Sequence, residues 1–130
     1  MTPATPVTAV SLRRAARVDI DAANRRYRGP LEASAGALAA RLTRADEIVL
    51  LGSIASPKYV DVLTGVFGDR LLFPREFVGR GDMSRGGLLL RCVAAGVELS
   101  YVPVRCAVRS GTRPPKLPPL KRAPASAEPR

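Results

Sequence analysis

Apolar residues occur along the chain in two patterns, continuous runs and stripes with helical spacing, and together these predict an α/β domain. The run Ile48–Leu51 is continuous and predicts a strand buried on both faces. Two further apolar segments, 70–73 and 99–104, predict a second and a third strand. Gly52 follows the first segment and Pro74 follows the second, and Pro103 within the third implies the end of a strand or an edge strand.

Three stripes of apolar residues predict helices. One helix is expected to begin at Pro30, because proline fits the first helical position, and to end near residue 44. Ser56 and Pro57 are a favourable start for a second helix, and Gly68 is expected to end it. A third helix is predicted after the glycine-rich stretch, with Asp82 or Ser84 as its N-cap.

The order strand, helix, strand, helix, strand with short connections is typical of a parallel sheet with crossover helices. We therefore expect a small three-layer, Rossmann-like α/β unit with a short, mainly parallel sheet and flanking helices. This domain should span residues 30–104, between a basic N-terminal arm (1–29) and a basic, proline-rich tail (105–130). The tail holds six of the twelve prolines and is expected to be extended or disordered.

The net charge of +10 is concentrated in the two terminal segments. The arm has six arginines against two aspartates, the tail has seven basic side chains against one glutamate, and residues 30–104 carry eight of each sign. A basic protein often binds a polyanion, but here that inference applies to the termini rather than to the folded body.

Composition also bears on compartment, metal binding and assembly. No run of about 18 apolar residues exists, and the N-terminus has no uninterrupted apolar stretch, so we expect a cytoplasmic protein without a membrane span. Cys92 and Cys106 are the only cysteines and histidine is absent, so no metal site is expected, and both thiols are predicted to be small buried apolar groups. The edges of a three-stranded sheet favour a homodimer.

Candidate chemistry lies in two polar loops that follow the first and second predicted strands, Gly52–Lys58 and Gly79–Gly87. In a parallel sheet, ligands bind beyond the carboxyl ends of the strands, and both loops lead into helix N-termini, which favour anions. The loops are therefore predicted to meet and hold a phosphate or carboxylate. The candidate ligand-binding residues are Ser53, Lys58, Arg80, Asp82, Ser84 and Arg85.

A purely structural interpretation of the same residues stays open. In it, Asp82 caps the helix, the arginines pair with Asp61, Asp69 or Glu76, and the glycines only turn the chain. Neither loop has the spacing of a phosphate-binding P-loop or of a dinucleotide-binding fingerprint. Because histidine, the commonest general base, is missing, no catalytic residue and no cofactor is assigned, and the sequence does not decide whether the chain is an enzyme.

Two stretches carry a resemblance to known proteins. The sequence LLGSIASPKY at 50–59, with FVGRGDMSRGG at 77–87, resembles a family of uncharacterised bacterial proteins and implies no particular activity. A more distant resemblance is to the uracil-DNA-glycosylase-like α/β group, whose inactive members include RNA-modification domains. The chain lacks the histidine motif of the active glycosylases, so this resemblance does not imply that activity.

The sequence thus predicts binding of a phosphorylated small molecule or nucleotide at the two loops. The alternative is a nucleic-acid-binding protein that acts through its basic N- and C-terminal segments. A third interpretation is an interaction module whose proline-rich tail docks on a partner.

Overall fold

The computed structural model describes residues 4–119, which form four helices and three short strands. The helices are α1 (Ala9–Ala15), α2 (Arg25–Ala39), α3 (Pro57–Phe67) and α4 (Asp82–Ala95), and the strands are β1 (Ile48–Val49), β2 (Leu71–Pro74) and β3 (Tyr101–Pro103). The predicted α/β class is confirmed. Residues 1–3 of the predicted arm and 120–130 of the predicted tail lie outside the described residues.

The sheet is mixed, with strand order β1-β2-β3. β1 pairs with β2 in parallel, with Ile48 opposite Leu71, whereas β3 runs antiparallel to β2, with Val102 opposite Phe73. The prediction that Ile48–Leu51 is buried on both faces is wrong, because β1 is an edge strand and Leu51 is exposed. The central strand is β2, where all four residues are buried.

The helix predicted to start at Pro30 starts earlier, at Arg25. The side chain of Asn24 accepts a hydrogen bond from the backbone N–H of Arg26 at 3.1 Å, so Asn24 is the N-cap. Pro30 therefore lies inside α2, where it removes one backbone hydrogen bond without ending the helix. The fixed φ of proline matches that of an α-helix, which is why Pro30 resembles the first residue of a helix in the sequence.

The hydrophobic core is formed by α3, β2 and the turn that follows β2. Helix α2 packs against α3 from outside this core. Val60, Phe73 and Phe77 are fully or almost fully buried at its centre. α3 starts at Pro57, with Ser56 at the N-cap position, and ends at Phe67, followed by Gly68 as C-cap with a positive φ of 60°, so both predicted limits are confirmed. Burying these apolar side chains is the main favourable term in folding.

A hydrogen-bonded turn fixes the approach to β1. The carboxylate of Asp46 accepts from the backbone N–H of Thr43 at 2.7 Å and from its hydroxyl at 2.9 Å, and Arg70 donates to the carbonyl groups of both residues. These bonds from Thr43 hold the pKa of Asp46 below its ordinary value. Because the folded-state pKa is lowered, the contribution of Asp46 to stability is present at neutral pH and is lost as the pH falls through that lowered pKa.

Residues 107–119 have no regular secondary structure and run back over the N-terminal half of α4. Arg91 of α4 donates from Nη1 to the carbonyl of Gly87 at 2.8 Å and from Nη2 to the carbonyl of Pro118. We call residues 108–119 the C-terminal strap. None of the helices within residues 4–119 has the length and apolar character needed to cross a membrane.

Candidate functional site

The two polar loops and the C-terminal strap enclose a cavity of about 250 Å³, which we call the inner cavity. Ser53 reaches it from the loop after β1, and Arg80 and Arg85 reach it from the loop after β2 and the first turns of α4. Arg109 and Ser110 of the strap complete its wall. The cavity is therefore bordered by three arginines and two serines, a set that suits an anionic ligand.

Tyr59 holds the first loop in place. Its hydroxyl, in the first turn of α3, donates to the carbonyl of Ser53 at 2.5 Å. A Cβ atom at Gly52 would come to 2.5 Å from the same hydroxyl, so glycine is required for this contact. The backbone N–H of Ala55 donates to Oγ of Ser53 at 3.3 Å. The position of Ser53 at the cavity is thus fixed by the chain itself.

Arg85 is the least satisfied group in the site. Its side chain is only 11% exposed, and Nε and Nη1 are buried without any hydrogen-bond partner among the described residues. The nearest carboxylate oxygen is Oδ1 of Asp82, at 3.6 Å from Nη1, on a side chain that is 99% exposed. The guanidinium also lies over the ring of Phe77, with Cζ 5.6 Å from the centroid. A buried charge without hydrogen bonds is costly, so Arg85 has a strong capacity to bind an anion.

The side chain of Arg80 is held more firmly than that of Arg85. Its Nε donates to the carbonyl of Glu76 at 2.8 Å and its Nη1 donates to Oγ of Ser84 at 3.1 Å. Within residues 4–119, Nη2 of Arg80 makes no hydrogen bond. The two bonds fix the plane of the guanidinium and leave one nitrogen for a ligand.

Three of the six residues predicted for the site lie elsewhere. Lys58 is exposed in the first turn of α3 and does not border the inner cavity. Asp82 points into solvent as the first residue of α4, and Ser84 borders a neighbouring cavity instead. The prediction that Asp82 or Ser84 caps α4 is wrong, because Gly81 is the N-cap and no side chain there makes a capping bond.

The carboxylates expected to neutralise the loop arginines have other partners. Asp61 lies 3.7 Å from Arg109, and Asp69 lies 3.1 Å from Arg105. The carboxylate of Glu76 accepts from the backbone N–H of Ser100 at 3.0 Å. The alternative interpretation, in which these three carboxylates pair with Arg80 and Arg85, is therefore wrong for the described residues, and the one carboxylate near either group is that of Asp82, 3.6 Å from Arg85.

The glycine-rich loop approaches the strap rather than a ligand. Gly79 has a φ of 73°, and a Cβ atom there would collide with the carbonyl group of Thr112. A Cβ atom at Gly111 would come to 2.8 Å from Cγ1 of Val78. The glycines at these two positions thus allow a close approach between two segments of the chain itself, and this contact sets the position of the strap residues that border the cavity.

Sequence reasoning missed Arg109 and Ser110, because the proline-rich composition of the tail suggested a separate segment. Their only sequence signal is the pair of glycines, Gly79 and Gly111, whose contacts hold the strap in place. Among residues 4–119, no group of histidine, cysteine or acidic side chains is placed to hold a metal ion. Both cysteines are free thiols, and the prediction that both are buried is wrong, because Cys92 is half-buried and Cys106 is exposed.

No protein-family model, no curated protein and no solved structure matches this chain. The two resemblances drawn from the sequence motifs therefore stay predictions.

Proposed function

We propose that the domain binds a phosphorylated or nucleotide-like ligand in the inner cavity, between loops 52–58 and 79–87. The observation that carries the proposal is Arg85, a nearly buried arginine that borders the cavity and whose Nε and Nη1 have no hydrogen-bond partner among the described residues. A phosphate group in the cavity would offset this poorly compensated charge, and charge-assisted bonds from arginine to phosphate are among the strongest in proteins.

The local fold supports the same proposal. β1, α3 and β2 form a single β-α-β unit, in which two parallel strands are joined by one crossover helix, and we propose that the site lies at the carboxyl edge of that strand pair. Among residues 4–119, no acidic side chain borders the cavity, while Arg80, Arg85 and Arg109 do. Asp61 and Asp82 approach two of these arginines only at 3.6–3.7 Å and through exposed carboxylates, which screen little of the charge.

The variant Arg85→Met separates a binding role from a structural one. We expect it to weaken the binding of inorganic phosphate and of AMP by about 10–100-fold, because a hydrogen bond to a charged group contributes roughly 1.5–3 kcal/mol. The unfolding free energy of the unliganded protein should stay the same or rise, since methionine removes an unsatisfied buried charge and keeps the apolar contact with Phe77. Isothermal titration calorimetry and urea unfolding measure the two effects.

Arg75→Met is the matched control, because Arg75 is exposed and outside the cavity. It removes the same charge and should leave both affinities unchanged. Equal affinity for phosphate in Arg85→Met and the unmodified protein would contradict the proposed site. A large loss of stability in Arg85→Met would mean that the arginine supports the fold instead.

A second candidate function is nucleic-acid binding through the basic terminal segments. Arg14, Arg17, Arg25 and Arg26 are exposed, and their side chains make no hydrogen bond or ion pair with the described residues. Four such groups at one end of the chain favour contact with a phosphate backbone.

For this candidate, the affinity for single-stranded RNA should fall steeply with salt. Replacing the four arginines by glutamine should make the slope of log K against log salt less steep by up to about 3, because each phosphate contact to a single strand contributes about 0.7. Fluorescence anisotropy with a labelled oligonucleotide at several salt concentrations gives both slopes. If the two slopes are equal, the N-terminal arginines do not contact the nucleic acid.

A further inference from the structure

A second cavity, of about 340 Å³, lies between α4 and the C-terminal strap, and we call it the outer cavity. Ser84 and Arg91 border it from α4, and Arg113 and Lys116 border it from the strap. Arg80 borders both the outer and the inner cavity. The two cavities are therefore neighbours that share one guanidinium group as a common wall.

The outer cavity is strongly positive. Of the described residues that border it, four are cationic, namely Arg80, Arg91, Arg113 and Lys116, and none is acidic. Within residues 4–119, the side chains of Arg113 and Lys116 make no hydrogen bond or ion pair, so their charges are not compensated by the protein. Bringing like charges together around one space costs free energy, which an anion in that space would offset.

The walls of the outer cavity are fixed rather than loosely placed. Arg91 ties the strap to α4 through its bonds to the carbonyl groups of Gly87 and Pro118. Leu117 of the strap lies close to Gly87, since a Cβ atom built there would be 3.8 Å from Cδ1 of Leu117, an ordinary van der Waals distance. Arg91 thus serves mainly as a structural tie, whereas Arg113 and Lys116 are available to a ligand.

We propose that the ligand occupies both cavities and carries at least two linked phosphate groups, as a nucleoside diphosphate or triphosphate does. The inference rests on the proposed function and extends it. One phosphate binds at Arg85 in the inner cavity, Arg80 bridges the linkage, and the next phosphate binds at Arg113 and Lys116. A monophosphate fills only the inner cavity and leaves those two charges unused.

The bordering residues also suit the rest of a nucleotide. Met83, Leu117 and the strap prolines give the outer cavity an apolar part beside its charges. An uncharged, partly apolar group such as a nucleoside packs against such a surface, whereas a bare polyphosphate gains nothing there. The nucleoside therefore lies at the outer end of the ligand.

Calorimetric titration of the full chain at constant ionic strength tests the inference, with orthophosphate, pyrophosphate, tripolyphosphate and ADP as probes. We expect the affinity to rise at least about tenfold from orthophosphate to pyrophosphate, since a second set of charge-assisted bonds forms. ADP should bind more tightly than pyrophosphate if the nucleoside packs on the apolar wall. Equal affinity of ADP and pyrophosphate would overturn the placement of the nucleoside.

The double variant Arg113→Gln/Lys116→Gln should bind pyrophosphate no better than orthophosphate, while its orthophosphate affinity stays within about threefold of the unmodified chain. Arg41→Gln/Arg44→Gln removes two positive charges from exposed positions outside both cavities and should keep the rise. The inference is wrong if the rise in affinity from orthophosphate to pyrophosphate persists in Arg113→Gln/Lys116→Gln, or if it is lost in the control double variant as well.

Different outcomes of the same titrations would contradict the proposed function itself. It fails if the unmodified chain binds none of the four probes, or if Arg85→Met binds orthophosphate normally. A chain that binds orthophosphate through Arg85 but shows no rise with pyrophosphate keeps the proposed function and loses only the second phosphate site.

Discussion

Replacing Phe77 by alanine is expected to lower the unfolding free energy by about 3–5 kcal/mol, the usual range for a buried phenylalanine. Phe77 is 0% exposed, and its ring meets that of Phe73 edge to face at a centroid distance of 6.0 Å. Since the unfolding free energy of small domains is about 5–15 kcal/mol, this single truncation would remove a large part of it. Urea unfolding followed by circular dichroism measures the change.

The matched control is Leu90→Ala on α4. Leu90 is 63% exposed, and leucine and alanine both favour helices, so the change should cost less than about 0.5 kcal/mol. A cost below about 1 kcal/mol for Phe77→Ala would contradict the core described here. Phe77 also lies beneath the guanidinium of Arg85, so the same residue that fills the core supports the candidate site.

Local signals predicted α3 correctly from the sequence. Pro57 marks its start and Gly68 its end, and both act through the backbone conformation of their own positions, whereas Ser56 occupies the N-cap position without a side-chain capping bond. Such signals need no knowledge of the rest of the chain. Pro30 is the counter-example, because a proline with helical φ also fits inside a helix when a stronger cap lies upstream, and Asn24 is that cap.

The sheet could not be predicted in detail because strand order and direction depend on contacts distant in sequence. The run 48–51 is more continuous than 71–74, yet β2 is the central strand, since it pairs on both sides. The sequence pattern of strand, helix, strand is the same for a parallel and for an antiparallel return. After α4 ends at Gly96, the chain returns so that β3 runs antiparallel to β2.

The part of the candidate site that the two polar loops form could be predicted from the sequence. Ser53, Arg80 and Arg85 were expected from their positions after the strands, and all three border the inner cavity. The contribution of Arg109 and the existence of the outer cavity could not be predicted, because both depend on where the strap packs. The contact of the strap with α4 joins residues 27 positions apart in the sequence. Charge and proline content describe what a segment is made of, but they do not say where it packs.

Gly79→Ala is expected to lower the unfolding free energy by about 2–4 kcal/mol, from two causes. An alanine at a φ of 73° is strained by roughly 1–2 kcal/mol. Its Cβ atom would also collide with the carbonyl of Thr112, so the strap must move away from the loop. Urea unfolding measures the total cost.

Gly96→Ala separates the two causes, because Gly96 has nearly the same φ, 64°, and no atom within 4 Å of a Cβ there. Gly96→Ala should therefore cost only the strain of about 1–2 kcal/mol, and the extra cost at Gly79 measures the contact with the strap. Because the strap forms walls of both cavities, Gly79→Ala should weaken pyrophosphate binding as well, while Gly96→Ala should leave it unchanged. Equal costs for the two variants would show that the strap does not pack on the loop in solution, and both cavities would then lose a wall.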